Sequence, residues 1–256
     1  MIELGNKIIS VILFVILITS IISCKIETKE DISILLGKNE FKNERVFNLN
    51  VTEKFEVFTL HVNYGEVKLE KGEEFNLKIK IYEEIENDVD VYLEEGKLIG
   101  KSRGNNDFAI GQVIGTVPEI SSIHVENDSG DIIISGFDNK FILVNSGAGN
   151  VILSDCICEK ELDTDTSAGN ISITNAIAKI ININTGAGNI SLTEIEADEI
   201  NCNSGLGNIS VFESKANLAN FDTGIGNIST IDCDFKDKKF SSGLGKIRDS
   251  ESINRD

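Results

Sequence analysis

The sequence predicts an all-β protein, a single-domain parallel β-solenoid (β-helix) with coils of about 19 residues behind an N-terminal signal peptide. Three observations predict this class. A glycine-containing phrase recurs at a nearly constant spacing, apolar and polar residues alternate between its copies, and no stretch has the periodicity of a helix. The chain has 22 Gly but a single Pro, so Gly, Asn and Asp must make its turns.

The first 23 residues are typical of a secretory leader. The apolar run over 8–22 is shorter than the roughly 20 residues that a membrane-spanning helix needs. Ser23 and Cys24 end this run and resemble the lipobox of bacterial lipoproteins, in which the cysteine is acylated and becomes the new N-terminus. We therefore predict a lipoprotein signal peptide over 1–23 and lipidation of Cys24. The alternative is an uncleaved anchor with an incidental cysteine.

A polar, charge-mixed segment follows the leader. Residues 24–49 are interpreted as the lipidated cysteine and a tether. Over 50–116 apolar residues then stand at every second position, as in Phe75, Leu77 and Ile79, which is typical of half-buried strands. Their irregular spacing predicts an N-terminal cap or degenerate coils, ahead of regular solenoid repeats over 117–256.

The repeat is anchored on glycines whose sequence numbers differ successively by 19, 20, 19, 19, 19 and 19. These glycines are Gly130, Gly149, Gly169, Gly188, Gly207, Gly226 and Gly245. A representative copy reads TGAGNI at positions 185–190. A period near 20 with strand patterning predicts that each repeat is one coil stacked on the last.

Alignment of the repeats separates inward from outward columns of side chains, because successive residues of a strand point to opposite faces. The inward columns include Ile181, Ile183, Ile200 and Cys202. The outward columns between them give a candidate binding face, formed by Asn182, Asn184, Asn201 and Asn203. A further column follows the anchor glycine, and it is interpreted as a structural amide ladder rather than as glycosylation sites. Its members are Asn170, Asn189, Asn208 and Asn227.

The repeated phrases, the Val117-Pro118 pair ahead of the regular coils and the leader resemble a known family. This is the bacterial putative adhesin domain family of unknown function, which is related to the auto-transporter adhesin head (GIN) domain. The resemblance covers residues 50–250, approximately. It implies a right-handed β-solenoid at the cell envelope with no established catalytic site.

The charge balance limits the partners and cofactors. With 42 acidic and 24 basic residues the formal net charge is −18, which has the wrong sign for a nucleic-acid partner. Only two His are present, so general bases and metal ligands are scarce. One column places carboxylates six positions after the anchor glycine, at Glu194, Glu213, Asp232 and Glu251. This ridge is a candidate site for weak Ca²⁺ binding, and solvated side chains are the alternative. No other metal and no cofactor is predicted.

Four cysteines besides Cys24 are predicted to be buried free thiols. They are Cys156, Cys158, Cys202 and Cys233. Cys156 and Cys233 share a column four coils apart, about 19 Å, which exceeds the reach of a disulfide. A clip between Cys156 and Cys158 is the alternative, but no third ligand completes a metal site.

These observations predict a non-catalytic, exported lipoprotein, held at the cell membrane or outer surface by its lipid. Its repeated polar faces would serve surface adhesion or envelope interaction, with a glycan or a surface protein as partner. A structural or envelope-stress-related spacer is one alternative. A polysaccharide-active β-helix enzyme is another, because Asp163 and Asp165 stand about 7 Å apart along one strand. Near-minimal coils and the absence of Trp argue against this enzyme.

Overall fold

The computed structural model of the protein describes residues 41–251, and within them it confirms an all-β parallel solenoid without helices. No helix suited to crossing a membrane is therefore found in this part of the chain. The leader and Cys24 lie outside the described residues. The strands are β1 Asn43–Val51, β2 Val57–Tyr64, β3 Val67–Lys71, β4 Phe75–Glu83, β5 Val89–Glu94, β6 Lys97–Ser102, β7 Phe108–Val117, β8 Ser122–Ser129, β9 Ile132–Ser135, β10 Asp138–Ala148, β11 Val151–Ala168, β12 Ile171–Ala187, β13 Ile190–Leu206, β14 Ile209–Phe212, β15 Lys215–Ile225, β16 Ile228–Leu244 and β17 Ile247–Glu251.

Each regular coil has three sides that pair in parallel with the next coil. In the coil that contains β12, these sides are 171–174, 176–178 and 180–187, and every residue meets its copy 19 positions later. The single longer coil, between Gly149 and Gly169, places its extra residue at a register shift between Cys158 and Glu161. A bulge therefore absorbs the insertion, and the register continues on both sides.

Apolar columns fill the interior of the solenoid, with one residue of each column in each coil. The column after the anchor glycines is fully buried from the second coil to the seventh, at Ile132, Val151, Ile171, Ile190, Ile209 and Ile228. Full burial of one such side chain contributes roughly 1.5 to 3 kcal/mol. The alternation seen in the sequence thus corresponds to the inward and outward directions of the side chains.

Close backbone approach explains why the anchor position is glycine in every coil. A Cβ added to Gly188 would lie 1.9 Å from the carbonyl oxygen of Gly169, and one added to Gly207 would lie 1.9 Å from that of Gly188. The structure adds Gly65 as the eighth member of this glycine column. A Cβ added to Gly130 would lie 2.0 Å from the carbonyl oxygen of Gly65. The first coil is therefore formed by β2 and β3.

Residues 72–121 leave the stack between the first and second coils and form the N-terminal cap. Strand β4 pairs antiparallel with β1 and β7, and β5 and β6 form an antiparallel hairpin. Strand β7 also pairs in parallel with β3, so this layer extends the sheet beyond the first coil. Phe75 packs on Phe58 with ring centroids 5.4 Å apart and closes the core at this end.

The cap contains one buried carboxylate, Glu83, whose side chain is 1% exposed. Its two oxygens accept hydrogen bonds from the backbone N–H groups of Asn87 at 2.9 Å and Val89 at 3.0 Å. Arg45 Nη2 lies 3.3 Å from Glu83 Oε2, and the Arg45 guanidinium stacks 4.5 Å above the Phe47 ring. Glu83 thus ties β4 to the start of β5 and to β1.

An ion pair between inward-facing residues lies at the opposite end of the solenoid. Lys238 stands in the inward column of Ile181 and Ile200, and its Nζ lies 2.5 Å from Asp249 Oδ2. Thr230 Oγ1 donates a hydrogen bond to Asp249 Oδ1 at 2.5 Å. Burial raises the pKa of Asp249, but the hydrogen bonds from Lys238 and Thr230 outweigh it and lower this pKa below its usual value. Inward-facing charges discourage another strand from pairing at the edge, so this ion pair ends the stack.

The prediction of buried free thiols is confirmed for the four cysteines within residues 41–251. Burial raises the pKa of Cys156 to about 11 and that of Cys158 to about 12. The reactive species of a cysteine is its thiolate, so these side chains should be inert in the folded protein.

We expect iodoacetamide at pH 8 to leave these cysteines unmodified over an hour in the native protein and to alkylate all of them in urea. Mass spectrometry of the intact chain reads the outcome. A Ser210→Cys variant supplies the control, because Ser210 is exposed and the new thiol should react within minutes. Rapid native alkylation of Cys156 or Cys158 would show that the solenoid opens locally.

Candidate binding face

The predicted binding residues lie together on the outer surface of one side of the solenoid. This side is formed by 141–148, 161–168, 180–187, 199–206, 218–225 and 237–244, and we call its outer surface the amide face. Asn182 pairs in register with Asn201, and Asn184 pairs with Asn203. The four amides therefore form two parallel columns that run along the solenoid axis.

The first column is a hydrogen-bonded ladder. Asn201 Nδ2 donates to Asn182 Oδ1 at 2.9 Å, and Asn220 Nδ2 donates to Asn201 Oδ1 at 2.9 Å. Asn182 in turn donates to Glu161 Oε1 at 2.7 Å. Asn182 and Asn201 are half-buried, and both amides form hydrogen bonds that join neighbouring coils.

The second column remains open to solvent. Asn184 and Asn203 are exposed, and their side chains make no hydrogen bond to any part of the chain that the structure describes. Asp165 precedes them in the column, and Asp222 follows. Each free amide offers two donors and one acceptor to a ligand.

A strip of exposed backbone runs beside this second column. Gly186, Gly205 and Gly224 stand two positions after Asn184, Asn203 and Asp222, so no side chain covers the strand there. Towards the first coils the strip widens into a groove of about 630 Å³, lined by Glu126, Asp128, Asn145, Ser146, Gly147, Asp165, Thr166, Ser167 and Gly186, with Asn127 beneath it. The groove and the second column thus form one continuous polar surface.

Both histidines of the chain lie at the edge of this groove. His61 Nε2 is 3.0 Å from Asp128 Oδ1, and His124 Nε2 is 3.3 Å from Glu126 Oε1. Each histidine therefore faces one carboxylate of the groove. Sequence reasoning missed this pairing, because 67 positions separate His61 from Asp128.

Asp163 and Asp165, the pair that an enzyme would use, also lie on the amide face. Burial raises the pKa of Asp163, and the carboxylates of Asp165 and Glu161 raise it further. Such a shift is typical of an acid or base residue but also of crowded structural carboxylates. The gaps between strands from β10 to β17 are only a few residues long, so no loop there encloses the pair in a cleft.

The amide ladder at the glycine corner is confirmed. Asn189 Oδ1 accepts both the backbone N–H of Asn208 at 2.8 Å and its Nδ2 at 3.2 Å. The same pair of hydrogen bonds joins Asn170 to Asn189 and Asn208 to Asn227. The hydroxyls four positions before this ladder do not bond to their copies in the next coil. Thr185 Oγ1 instead donates to the carbonyl of Gly169 at 3.0 Å.

The carboxylate ridge lies at another corner of the coil. Glu194, Glu213 and Asp232 are exposed and have φ angles of 56°, 48° and 54°, in the left-handed region. The corner therefore imposes a backbone conformation that Asn and Asp tolerate better than most residues. Only the backbone of Glu251 is described. Within residues 41–250 no three His, Cys, Asp or Glu side chains gather into a metal site, and Ca²⁺ binding stays a prediction.

Comparison with known proteins agrees with this geometry. Residues 59–236 match the family model described as "Putative auto-transporter adhesin, head GIN domain". A putative adhesin from Bacteroides fragilis is 18% identical, with a TM-score of 0.58 over 82% of this chain and 98% of its own. A putative adhesin from Parabacteroides distasonis is 12% identical, with a TM-score of 0.52 over 81% of this chain and 97% of its own.

No curated protein matches the chain in sequence. The two crystal structures share its fold, and the family model covers more than half of its length. The chain therefore belongs to the auto-transporter adhesin head GIN domain family.

Proposed function

We propose that this protein is a non-catalytic adhesion module of the cell envelope, and that the amide face is its contact surface. The observation that carries the proposal is the open column of Asn184 and Asn203, whose amides no other residue uses within the described part of the chain. Repetition along the axis suits a ligand that is itself repetitive or extended, such as a glycan chain or a surface protein. Membership of the adhesin family supports a role at the cell surface.

We further propose that the module is exported and lipid-anchored. The leader over 1–23 would be removed, Cys24 would carry the lipid, and the part of 24–49 that precedes β1 would serve as the tether, because Asn43–Val51 already pairs with β4. The region 50–116 would supply the N-terminal cap and coils, and 117–256 the regular repeats. The acidic surface would keep the solenoid soluble and away from nucleic acid.

A glycan array and a cell-binding assay test the adhesion role. We expect the double variant Asn184→Ala/Asn203→Ala to lose at least tenfold in binding, because two sets of amide donors and acceptors disappear. Its melting temperature should stay within about 1 °C, since exposed substitutions without partners change stability little.

The matched control is Ser191→Ala/Ser210→Ala, which removes two exposed hydroxyls from another side of the same coils. An equal loss of binding in the control would reject the amide face as the contact surface. Absence of binding to every glycan and cell type by the unmodified protein would favour the spacer function. Turnover of a polysaccharide that Asp165→Ala abolishes would instead establish an enzyme.

A further inference from the structure

The charge of the solenoid changes sign at its last coil. Residues 161–235 contain eleven acidic and two basic side chains, whereas residues 236–250 contain five basic and two acidic ones. One of the five, Lys238, forms the inward ion pair with Asp249 that closes the core. The other four are not needed for this closure.

These four basic residues surround the last coil. Lys239 continues the column of Asn182 and Asn201 on the amide face, and Arg248 continues the column of Ser191 and Ser210. Lys246 follows Asn227 in the corner ladder, and Lys236 donates to Asn217 Oδ1 at 2.6 Å. Lys239, Lys246 and Arg248 are exposed and form no ion pair within residues 41–250.

Exposed apolar side chains accompany the basic residues at the same end. The residue directly before the anchor glycine is Ala148, Ala168 and Ala187 in earlier coils, and Leu206, Ile225 and Leu244 in later ones. Ile225 is 39% exposed, Leu244 68% and Ile247 46%. We define the basic-apolar tip as six residues of this end. They are the exposed apolar residues Ile225, Leu244 and Ile247 and the basic residues Lys239, Lys246 and Arg248.

We propose that the basic-apolar tip binds the surface of an anionic lipid bilayer. Cationic side chains are attracted by anionic headgroups, and the interleaved apolar side chains can enter the boundary with the acyl chains. A soluble polyanion would satisfy the cations but would leave Leu244 and Ile247 in water. Lys246 stands between these two residues in sequence, so charge and apolar surface reach the same membrane together.

The position of the tip and the acidic charge of the neighbouring coils determine which part of the solenoid can contact an anionic bilayer. Strand β1 pairs with β4 at the capped end, whereas β17 pairs with β16, so the tip lies at the opposite end of the stack from β1. The acidic body is repelled by anionic lipid, which restricts contact to the last coil. The proposal does not depend on ligand binding by the amide face.

Co-sedimentation with vesicles tests the tip. The chain from Lys25 onward is used, because the leader and a lipidated Cys24 would bind vesicles themselves, while 41–251 form one continuous sheet with its own core. We expect retention on vesicles that mix one part of phosphatidylglycerol with two parts of phosphatidylcholine, and at least tenfold weaker retention on pure phosphatidylcholine. Retention should fall as the salt concentration rises from about 0.05 M to about 0.5 M, because salt screens the attraction.

Two pairs of variants separate the contributions of charge and apolar surface. Lys246→Gln/Arg248→Gln should weaken binding about 25-fold, because each basic residue near an anionic surface contributes about fivefold. Leu244→Ser should weaken it about tenfold. The controls are Lys179→Gln/Lys215→Gln, with the same loss of charge on the body, and Ile157→Ser, which removes a side chain that is 46% exposed elsewhere.

Equal losses in the controls would overturn the proposal, as would no retention on anionic vesicles by the unmodified protein. Binding to dextran sulfate without binding to vesicles would assign the tip to a soluble polyanion and would also overturn it. Asn184→Ala/Asn203→Ala should retain full vesicle binding, so failure of the adhesion proposal and failure of this one are distinguishable.

Discussion

Gly188→Ala is expected to destabilise the protein by about 3 kcal/mol, the upper part of the usual range for overpacking. The added Cβ would lie 1.9 Å from the carbonyl oxygen of Gly169, a distance that only backbone movement can relieve. That movement would separate two coils in the middle of the stack and stretch the Asn189 ladder beside them. Urea unfolding followed by circular dichroism measures the loss.

Gly186→Ala provides the matched control within the same phrase. Its Cβ would lie 2.5 Å from the carbonyl oxygen of Ser167, and the column already accommodates the side chain of Ser167 one coil earlier. We expect a loss of about 1 kcal/mol there. Equal losses at the two positions would mean that the steric account of the anchor column is wrong.

Glu83→Ala is expected to cost about 3 to 5 kcal/mol, the usual effect of breaking a buried ion pair by removing one partner. The substitution would leave the Arg45 guanidinium without its carboxylate and the N–H groups of Asn87 and Val89 without their acceptor. The loss would fall on the cap, so β1 and the β5–β6 hairpin should become accessible first. Urea unfolding and amide hydrogen exchange measure these two effects.

The ion pair between Lys80 and Glu44 serves as the control, because its side chains are 32% and 44% exposed and its Nζ and Oε1 lie 3.2 Å apart on the same pair of strands. Lys80→Ala should change the free energy of unfolding by less than about 1 kcal/mol, because exposed pairs contribute little. If Glu83→Ala were as mild as Lys80→Ala, the cap would not depend on its buried carboxylate.

The regular part of the fold could be predicted from sequence because every coil has the same close backbone contact, which requires glycine at the anchor position. Gly188 and Gly207 follow the constant spacing, so spacing alone located them. Gly65 has the same role, but the excursion of 72–121 separates it from Gly130, and periodicity could not reveal it. The Lys238–Asp249 ion pair was also hidden, because its partners belong to different columns that meet only inside the last coil.

The candidate site was predictable in position but not in detail. The alternation of side chains placed Asn182, Asn184, Asn201 and Asn203 on one outer face, as observed. Sequence could not tell that Asn182 and Asn201 bond along the axis while Asn184 and Asn203 remain free of hydrogen bonds to residues 41–250. This difference depends on side-chain distances between coils, which the residue types alone do not determine.

The excursion of 72–121 between the first two coils has a consequence for the order of folding. Pairing of Val67 with Ile132 closes a loop that contains the whole excursion, whereas pairing of Ile190 with Ile209 closes a loop of only one coil. The longer closure costs about 1 kcal/mol more in chain entropy. The later coils can therefore nucleate and propagate among themselves, and the first coil with its cap joins afterwards. Although it is synthesised first, the N-terminal end of the solenoid is expected to be completed last.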